Sequence, residues 1–203
     1  MIRVTLNDDT DRLDADTRRL VDALDRAGRR ELMQVLGKGL EGDLQRHFRG
    51  RNTEPNKRGW PKQQFWARIR RATAHTSADA DGATVTVADP AFAAKVHGAR
   101  NVRPGPGKRF LTIPLRPEAY GVRASSGLIP GLFFLRSRRG RAFLASSEAI
   151  GDGKLRLYYR LVPSVNLPAD DRALPPRREI QQALIRRTRS HVRRHLPPGG
   201  AQA

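Results

Sequence analysis

The stretch LQRHFRGRNTEPNKRGWPKQQFWARIRRAT, residues 44–73, decides the fold because it joins two helical patterns through a polar loop. It holds both tryptophans of the chain and two of its phenylalanines: Phe48, Trp60, Phe65 and Trp66. A short helix is predicted to open at Pro61, because proline is pre-organised for the first helical position. Phe65 and Ile69 then share one face of that helix. We therefore expect both tryptophans to be mostly buried.

Apolar residues recur at helical spacing before this stretch. They are Leu20, Leu24, Leu32, Leu36, Leu40, Leu44 and Phe48. This stripe predicts an amphipathic helix, or a helix pair with a break at Gly28, that continues through His47. A stripe of this length suits a hydrophobic core or a subunit interface, and we expect core.

Strand patterns occupy much of the remaining chain. Residues 2–6 alternate, and residues 75–80 and 83–88 predict a hairpin whose Asp81-Gly82 suits a type I′ turn. A short helix after Asp89-Pro90 should stop at Gly98. Further strands are predicted at residues 110–114, 132–136, 141–145 and 155–165. A linker over 168–176 precedes a final helix from about Arg177, with Ile180, Leu184, Thr188 and Val192 on one face.

The order of these elements predicts an α+β fold. We expect a mostly antiparallel sheet packed against the long N-terminal helix or helix pair, with short helices and a basic C-terminal helix. The predicted organisation is a single domain over residues 1–176, the basic helix over 177–196 and a disordered tail over 197–203.

Positive charge dominates the composition and is unevenly distributed. The net charge is +19, and residues 1–50 carry ten basic and ten acidic side chains, so the whole excess lies beyond them. Such a charge suits a phosphate polymer or an acidic protein surface, although an arginine-rich composition can also cover an ordinary surface. The candidate phosphate-facing residues lie in a predicted hairpin tip and in the last helix: Arg136, Arg138, Arg139, Arg141, Arg186, Arg187, Arg193 and Arg194.

Catalytic patterns are weak throughout. The chain has no cysteine, which excludes thiol chemistry and cysteine zinc sites. Gly105-Pro106-Gly107-Lys108 fails as a phosphate cradle, because proline lacks a donor N–H and no Ser or Thr follows the lysine. His47 and His97 suit packed or hydrogen-bonded structural roles. We expect no enzyme, no cofactor, no metal and no membrane span.

The motifs in and after residues 44–73 carry a family resemblance. His47-Phe48, Gly59-Trp60-Pro61 and Phe65-Trp66 are followed by ATVTVADP (83–90), KVHGA (95–99), FLTIPLRPEAYG (110–121) and Leu-Pro-Pro (174–176). In this order and spacing they resemble the virion-morphogenesis, or tail-completion, proteins of tailed bacteriophages. The structural signature on which the resemblance depends is His47, Phe48, Trp60, Phe65, Trp66 and His97.

The resemblance implies a structural role in particle assembly at the head–tail junction or tail end. The implied partners are other virion proteins, namely a connector or adaptor, the tail tube or a tail terminator, and copies of the chain in a ring around the DNA path. The implied location is the neck or tail of the virion, after synthesis in the host bacterial cytoplasm. The alternative is a sequence-independent nucleic-acid-binding protein that grips phosphate with its arginine-rich hairpin and last helix.

Overall fold

A computed structural model provides the fold and describes residues 21, 24–55, 58–61, 63–148 and 154–195, with the backbone of residues 2–7. The elements in chain order are β1 (Ile2–Asn7), α1 (Arg26–Thr53), α2 (Phe65–Arg71), β2 (Thr73–Ala78), β3 (Gly82–Val87), α3 (Pro90–His97), β4 (Ala99–Val102), β5 (Leu111–Pro114), β6 (Phe133–Arg136), β7 (Ala142–Ser146), β8 (Arg156–Val162), β9 (Val165–Leu167) and α4 (Arg177–His195). Two 3₁₀ turns, Pro117–Ala119 and Ala124–Ser126, lie between β5 and β6.

The chain divides into two compact units. The helical unit comprises Met1–Glu54, Gln64–His97 and Asp170–Ala203, and the β-rich unit comprises Pro55–Gln63 and Gly98–Ala169. The predicted domain over residues 1–176 is thus shared between the two units, and α4 belongs to the helical unit. The predicted disordered tail over 197–203 lies outside the described residues.

Helix α1 is the longest element of the helical unit. It begins after Asp25, whose carboxylate accepts a hydrogen bond from the Gly28 N–H at 2.7 Å. This cap supplies a partner for an otherwise unpaired first-turn N–H. The predicted break at Gly28 is therefore wrong, because this glycine lies inside the capped first turn. The helix also passes the predicted end at His47 and continues to Thr53.

The three-stranded sheet of the helical unit has the order β1-β3-β2, and both pairings are antiparallel. The predicted hairpin of β2 and β3 forms, but its turn differs from the predicted type I′ turn. The Asp79 carboxylate accepts hydrogen bonds from the N–H groups of Asp81 and Gly82, each at 2.9 Å. Neither Asp81 nor Gly82 has a positive φ. The side chain of Asp79 thus organises the turn without left-handed residues.

Helix α2 begins later than predicted. Pro61 lies outside it, and Gln64 precedes the first helical residue with a left-handed φ of 55°. By contrast, α3 begins at Pro90 after the capping residue Asp89, as predicted, and the Ala91 N–H donates to the Asp89 carboxylate at 2.9 Å. The chain leaves α3 through Gly98, whose φ is +72°.

The core of the helical unit forms around α1. Its largest cluster joins Leu40, Leu44 and Phe48 of α1 to Ile69, Val85, Val87, Phe92 and Ala173. A second cluster joins Val21, Leu32, Met33 and Leu36 to Ala83 of β3. Leu184 and Ile180 of α4 pack against these clusters. The predicted stripe is therefore core from Leu32 to Phe48, and Leu24 packs against the second cluster. Leu20 lies outside the described residues.

The β-rich unit contains a four-stranded sheet of order β5-β8-β7-β6 and a two-stranded sheet of β4 and β9, all with antiparallel pairings. The predicted strand over residues 155–165 is wrong as a single element. It divides at Pro163-Ser164, so that β8 and β9 enter different sheets. Buried Tyr158 and Tyr159 of β8 form the centre of a small core with Ala119 and Ile129.

The predicted fold class is confirmed. A long helix packs on an antiparallel sheet, short helices follow, and a basic helix ends the described chain.

Gly37 of α1 permits the close approach of the helix to the sheet. A Cβ atom at Gly37 would lie 2.4 Å from Nε2 of His75 and 3.1 Å from Cβ of Ala83. A Cβ atom at Gly42, on the same helix, would meet nothing within 4 Å. We expect Gly42→Ala to stabilise the protein by about 0.5–1 kcal/mol, because alanine has the higher helix propensity. Gly37→Ala should instead lower the free energy of unfolding, because the clash of the added Cβ outweighs the gain in helix propensity.

Urea denaturation of both variants provides the measurement. The double variant Gly37→Ala/His75→Ala should recover part of the loss, because it removes the nearer clash. Equal stabilisation by the two glycine replacements would contradict the close helix–sheet approach.

Candidate functional site

The aromatic residues of the signature segment separate into two groups. In the helical unit, Phe48 stacks on Trp66 with ring centroids 5.9 Å apart, and Phe92 meets Phe48 edge-on at 5.3 Å. Phe65 packs edge-on against Trp66 at 5.1 Å. In the β-rich unit, Trp60 meets Tyr120 edge-on at 5.3 Å. The signature is therefore a set of packing contacts within each unit.

Both tryptophans are mostly buried, as predicted, although neither Trp60 nor Trp66 is enclosed as fully as Phe48, which is completely buried. The guanidinium of Arg51 lies 4.9 Å from the Trp66 ring, and that of Arg58 lies 4.8 Å from the Trp60 ring. Each indole thus uses one surface for packing and another for a cation.

An ion-pair network connects the end of α1 to the segment before α4. Arg51 contacts Glu54 at 2.5 Å and Asp170 at 2.8 Å, and Lys95 reaches Asp170 at 3.1 Å. Arg172 adds a second contact to Glu54. Burial favours a raised pKa for Asp170, but hydrogen bonds from Lys95 and the Arg172 backbone, together with nearby positive charge, lower it overall. The network holds the Asp170 segment against the core.

The two signature histidines have different environments. His47 donates from Nε2 to the carbonyl oxygen of Arg172 at 3.1 Å. Burial lowers the pKa of His47, and the nearby Arg51 charge lowers it further. A neutral, donating imidazole is a structural element here. His97 is instead exposed at the last residue of α3, and no described residue hydrogen-bonds its ring, so the expected packed or bonded role is wrong for His97.

A groove of about 610 Å³ lies between α1 and α4 in the helical unit. Its walls combine apolar residues with charges of both signs. Those walls are formed by Leu40, Asp43, Leu44, Arg46, His47, Arg51, Glu54, Arg172, Glu179, Ile180 and Arg186, among others. The only histidine in this lining already donates to a carbonyl. In the described part of the chain, no three His, Asp or Glu side chains come together as metal ligands.

Arg187 crosses from α4 to α1 and pairs with Asp43. Its two terminal nitrogens donate to the two carboxylate oxygens at 2.6 and 2.8 Å. The hydrogen bonds from Arg187 hold the pKa of Asp43 below its usual value, while the same contact raises the pKa of Arg187. A Cβ at Gly39 would lie 2.6 Å from Cδ of Arg187, so this glycine leaves room for the arginine. Arg187 therefore has a structural role, and its assignment as a phosphate-facing residue is wrong.

The other candidate phosphate-facing residues are exposed. Arg136, Arg138, Arg139 and Arg141 surround the tip of the hairpin formed by β6 and β7, and Arg186, Arg193 and Arg194 lie along α4. The four hairpin arginines form no ion pair with the described residues. The structure thus brings these four together and places the other three on a different unit.

The exposed large hydrophobic residues were not recognised from sequence. They are Phe110, Leu115, Leu128, Phe133, Phe134, Leu155 and Leu167, and every one belongs to the β-rich unit. The adjacent pair Phe133-Phe134 was the available signal, because neighbouring residues of a strand point to opposite faces. The small core of the β-rich unit lies on one face of the strand and cannot bury both phenylalanine rings.

Comparison with known proteins identifies no relative of this chain. No family model, no curated protein and no solved structure matches the chain. Within the described residues, no helix combines the length and apolar character that crossing a membrane requires.

The pairing of Asp43 with Arg187 predicts a pH-dependent contribution to stability. Asp43→Asn should lower the free energy of unfolding at pH 7 by about 1.5–3 kcal/mol, the usual range for hydrogen bonds to charged groups. Because the folded-state pKa lies below the ordinary value of 3.8, this contribution is present above that value and is lost as the pH falls through the lower folded pKa.

Denaturation midpoints of wild type and Asp43→Asn between pH 3 and 7 measure this effect, and the two should converge at the acid end. The matched control is Asp81→Asn, since the exposed Asp81 side chain makes no described ion pair. A difference that is constant with pH would contradict the ion-pair account.

The two stacked rings should differ in their contribution to stability. Phe48→Ala should cost about 3–5 kcal/mol, because it empties a fully buried site. Trp66→Ala should cost less, about 1–3 kcal/mol, because part of the indole is already solvated. Thermal melts of the two variants give the ranking, and a larger loss for Trp66 would show that the cation-covered indole is the true centre of the cluster.

Proposed function

We propose that this protein is a structural assembly subunit of a tailed bacteriophage, acting at the head–tail junction or at the tail end. The observation that carries the proposal is the division of surface character between the two units. All the exposed large hydrophobic residues of the described chain lie on the β-rich unit, which also carries the arginine-rich hairpin tip. A surface of this kind favours protein contacts. The resemblance of the sequence motifs supplies the phage context.

The helical unit supports the same proposal by its construction. The aromatic cluster around Phe48 and the ion pairs of Arg51 and Arg187 stabilise the unit internally. These residues are engaged in packing and pairing. A ring subunit that joins or terminates a tube needs a stable unit of this kind, together with a surface for contact with a connector, an adaptor, the tail tube or a terminator.

A second candidate is sequence-independent nucleic-acid binding. The specific observation in its favour is that Arg136, Arg138, Arg139 and Arg141 are exposed and form no ion pair with a described residue. Four such charges at one loop tip can neutralise phosphates. In a ring subunit, the same tip would face the DNA path, so the two candidates differ in whether DNA binding is the main activity.

The assembly proposal predicts that the chain is a stoichiometric component of the particle. Purified particles from cells that produce the phage should contain it by quantitative mass spectrometry. Deletion of its gene should leave heads and tails that are unjoined or tails that are incomplete by electron microscopy. A deletion that gives complete, infectious particles would reject the proposal, and a plasmid copy of the gene serves as the control for polar effects.

The candidate DNA contact predicts weak, salt-dependent binding. Replacing Arg136, Arg138, Arg139 and Arg141 together with Gln should reduce affinity for a short duplex about tenfold or more at low salt. The slope of log affinity against log salt should also become shallower. The charge-matched control replaces four exposed arginines elsewhere in the β-rich unit, Arg100, Arg103, Arg109 and Arg123. Equal losses in the two variants, measured by fluorescence anisotropy, would show that net charge alone drives binding.

A further inference from the structure

Strand β6 forms one outer edge of the four-stranded sheet in the β-rich unit. It pairs with β7 in continuous register from Phe133 opposite Ala145 to Arg136 opposite Ala142. None of the other described strands pairs with β6. An edge of this kind presents a row of backbone N–H and C=O groups to any strand that approaches.

Three of the four side chains of β6 carry no charge that would protect this edge, and the charged Arg136 lies at its end. Phe133 is 45% exposed and Phe134 is 56% exposed. Because consecutive residues of a strand point to opposite faces, both faces of the edge present an aromatic ring. Natural sheets usually protect their edges with lysine, proline or a bulge. Residues 133–135 contain no charged residue or proline, and the pairing with β7 has no bulge.

Positive charge is concentrated at one end of the edge. The turn after β6 is closed by a hydrogen bond from the Gly140 N–H to the Ser137 carbonyl at 2.9 Å, with a φ of +74° at Gly140. The exposed arginines 136, 138, 139 and 141 surround this turn. A ligand that follows the edge therefore meets apolar surface first and then a cluster of four positive charges.

We propose that β6 is the docking edge for an extended segment of a neighbouring assembly protein, which adds a fifth strand to the sheet. The segment alternates apolar residues with aspartate or glutamate. Its backbone completes the hydrogen-bond ladder of β6, its apolar side chains, which share one face, cover Phe134, and its carboxylates meet the arginine tip. This inference rests on the proposed function only in taking the partner to be another assembly protein.

Charge complementarity selects this occupant. A second copy of the chain would present the same edge and the same arginine tip, with a net charge of +19 on each copy. Antiparallel pairing of two β6 strands would place Arg136 beside Phe133 of the other copy. It would bring the single carboxylate of Glu148, which lies next to Gly131, towards the four arginines. A nucleic acid would satisfy the arginines, but its phosphate oxygens only accept hydrogen bonds and cannot pair with the backbone carbonyls of the edge.

A synthetic peptide tests the proposal on the full-length protein. The probe is fluorescein-labelled acetyl-EVEIEVE-amide, which alternates glutamate with apolar residues. We expect saturable binding by fluorescence anisotropy, together with slowed amide hydrogen exchange localised to residues 133–136. Two control peptides should each bind at least tenfold more weakly. The first is N-methylated at the central isoleucine and the following glutamate, which removes a backbone donor from each edge of the peptide strand. The second carries lysine at every glutamate position.

Two pairs of variants locate the site. Phe134→Glu should weaken binding of the probe at least tenfold, whereas Leu128→Glu should not, although Leu128 is 73% exposed in the same unit. Arg138→Glu/Arg139→Glu should also weaken binding at least tenfold. The charge-matched variant Arg103→Glu/Arg109→Glu should retain the affinity of the wild type to within about threefold. Circular dichroism spectra confirm that each variant is folded before its affinity is compared.

Several results would overturn the inference. Equal binding of the N-methylated peptide, or protection outside residues 133–136, would exclude strand addition. Protection of residues 133–136 that depends on protein concentration without peptide would identify a second copy as the occupant. Stronger protection by a DNA duplex than by the probe would identify nucleic acid.

The particle experiment separates this inference from the proposed function. A chain found in the virion that fails to bind the probe rejects strand addition alone. Probe binding by a chain absent from the virion rejects the assembly role and retains the docking edge.

Discussion

The close approach of two elements to α1 is the constraint on which the helical unit depends. Gly37 and Gly39 remove side chains at the two places where the sheet and α4 come nearest to the helix. The approach through Gly39 lets Arg187 place both of its terminal nitrogens on Asp43. The leucine stripe of α1 supplies the apolar surface, but the glycines allow it to be covered on two sides. Close packing of this kind makes single added carbons costly.

The two units use their polar and apolar side chains differently. In the helical unit, arginines are neutralised at short range by Asp43, Glu54 and Asp170, and large apolar residues are enclosed. In the β-rich unit, large apolar residues remain in contact with solvent, and the hairpin arginines are unpaired among the described residues. Apolar area is unfavourable in water, and clustered like charges repel one another. Contact with an oppositely charged, partly apolar partner reduces both effects.

The proposed assembly role, in which binding is the activity, is compatible with this distribution. In the groove between α1 and α4, Asp43 and Glu54 are paired with arginines, and the histidine donates to a backbone carbonyl. General acid–base chemistry needs a group free to exchange a proton with a substrate. The polar residues of this groove serve instead to hold the Asp170 segment and α4 in place. The exposed large apolar residues of the described chain lie instead on the β-rich unit.

Local pattern by itself determined the α+β class, the long helix, the hairpin of β6 and β7 and the basic last helix, because period and turn residues act over a few positions. The start of α1 was also set locally, because Asp25 caps Gly28 three residues further on. Tertiary structure decided the rest, including the division of β8 and β9 between different sheets. Arg187 became structural because Asp43, distant in sequence, lies beside it. Exposure of Phe133 and Phe134 depends on which strand ends the sheet, and strand order follows from long-range contacts that sequence periodicity does not encode.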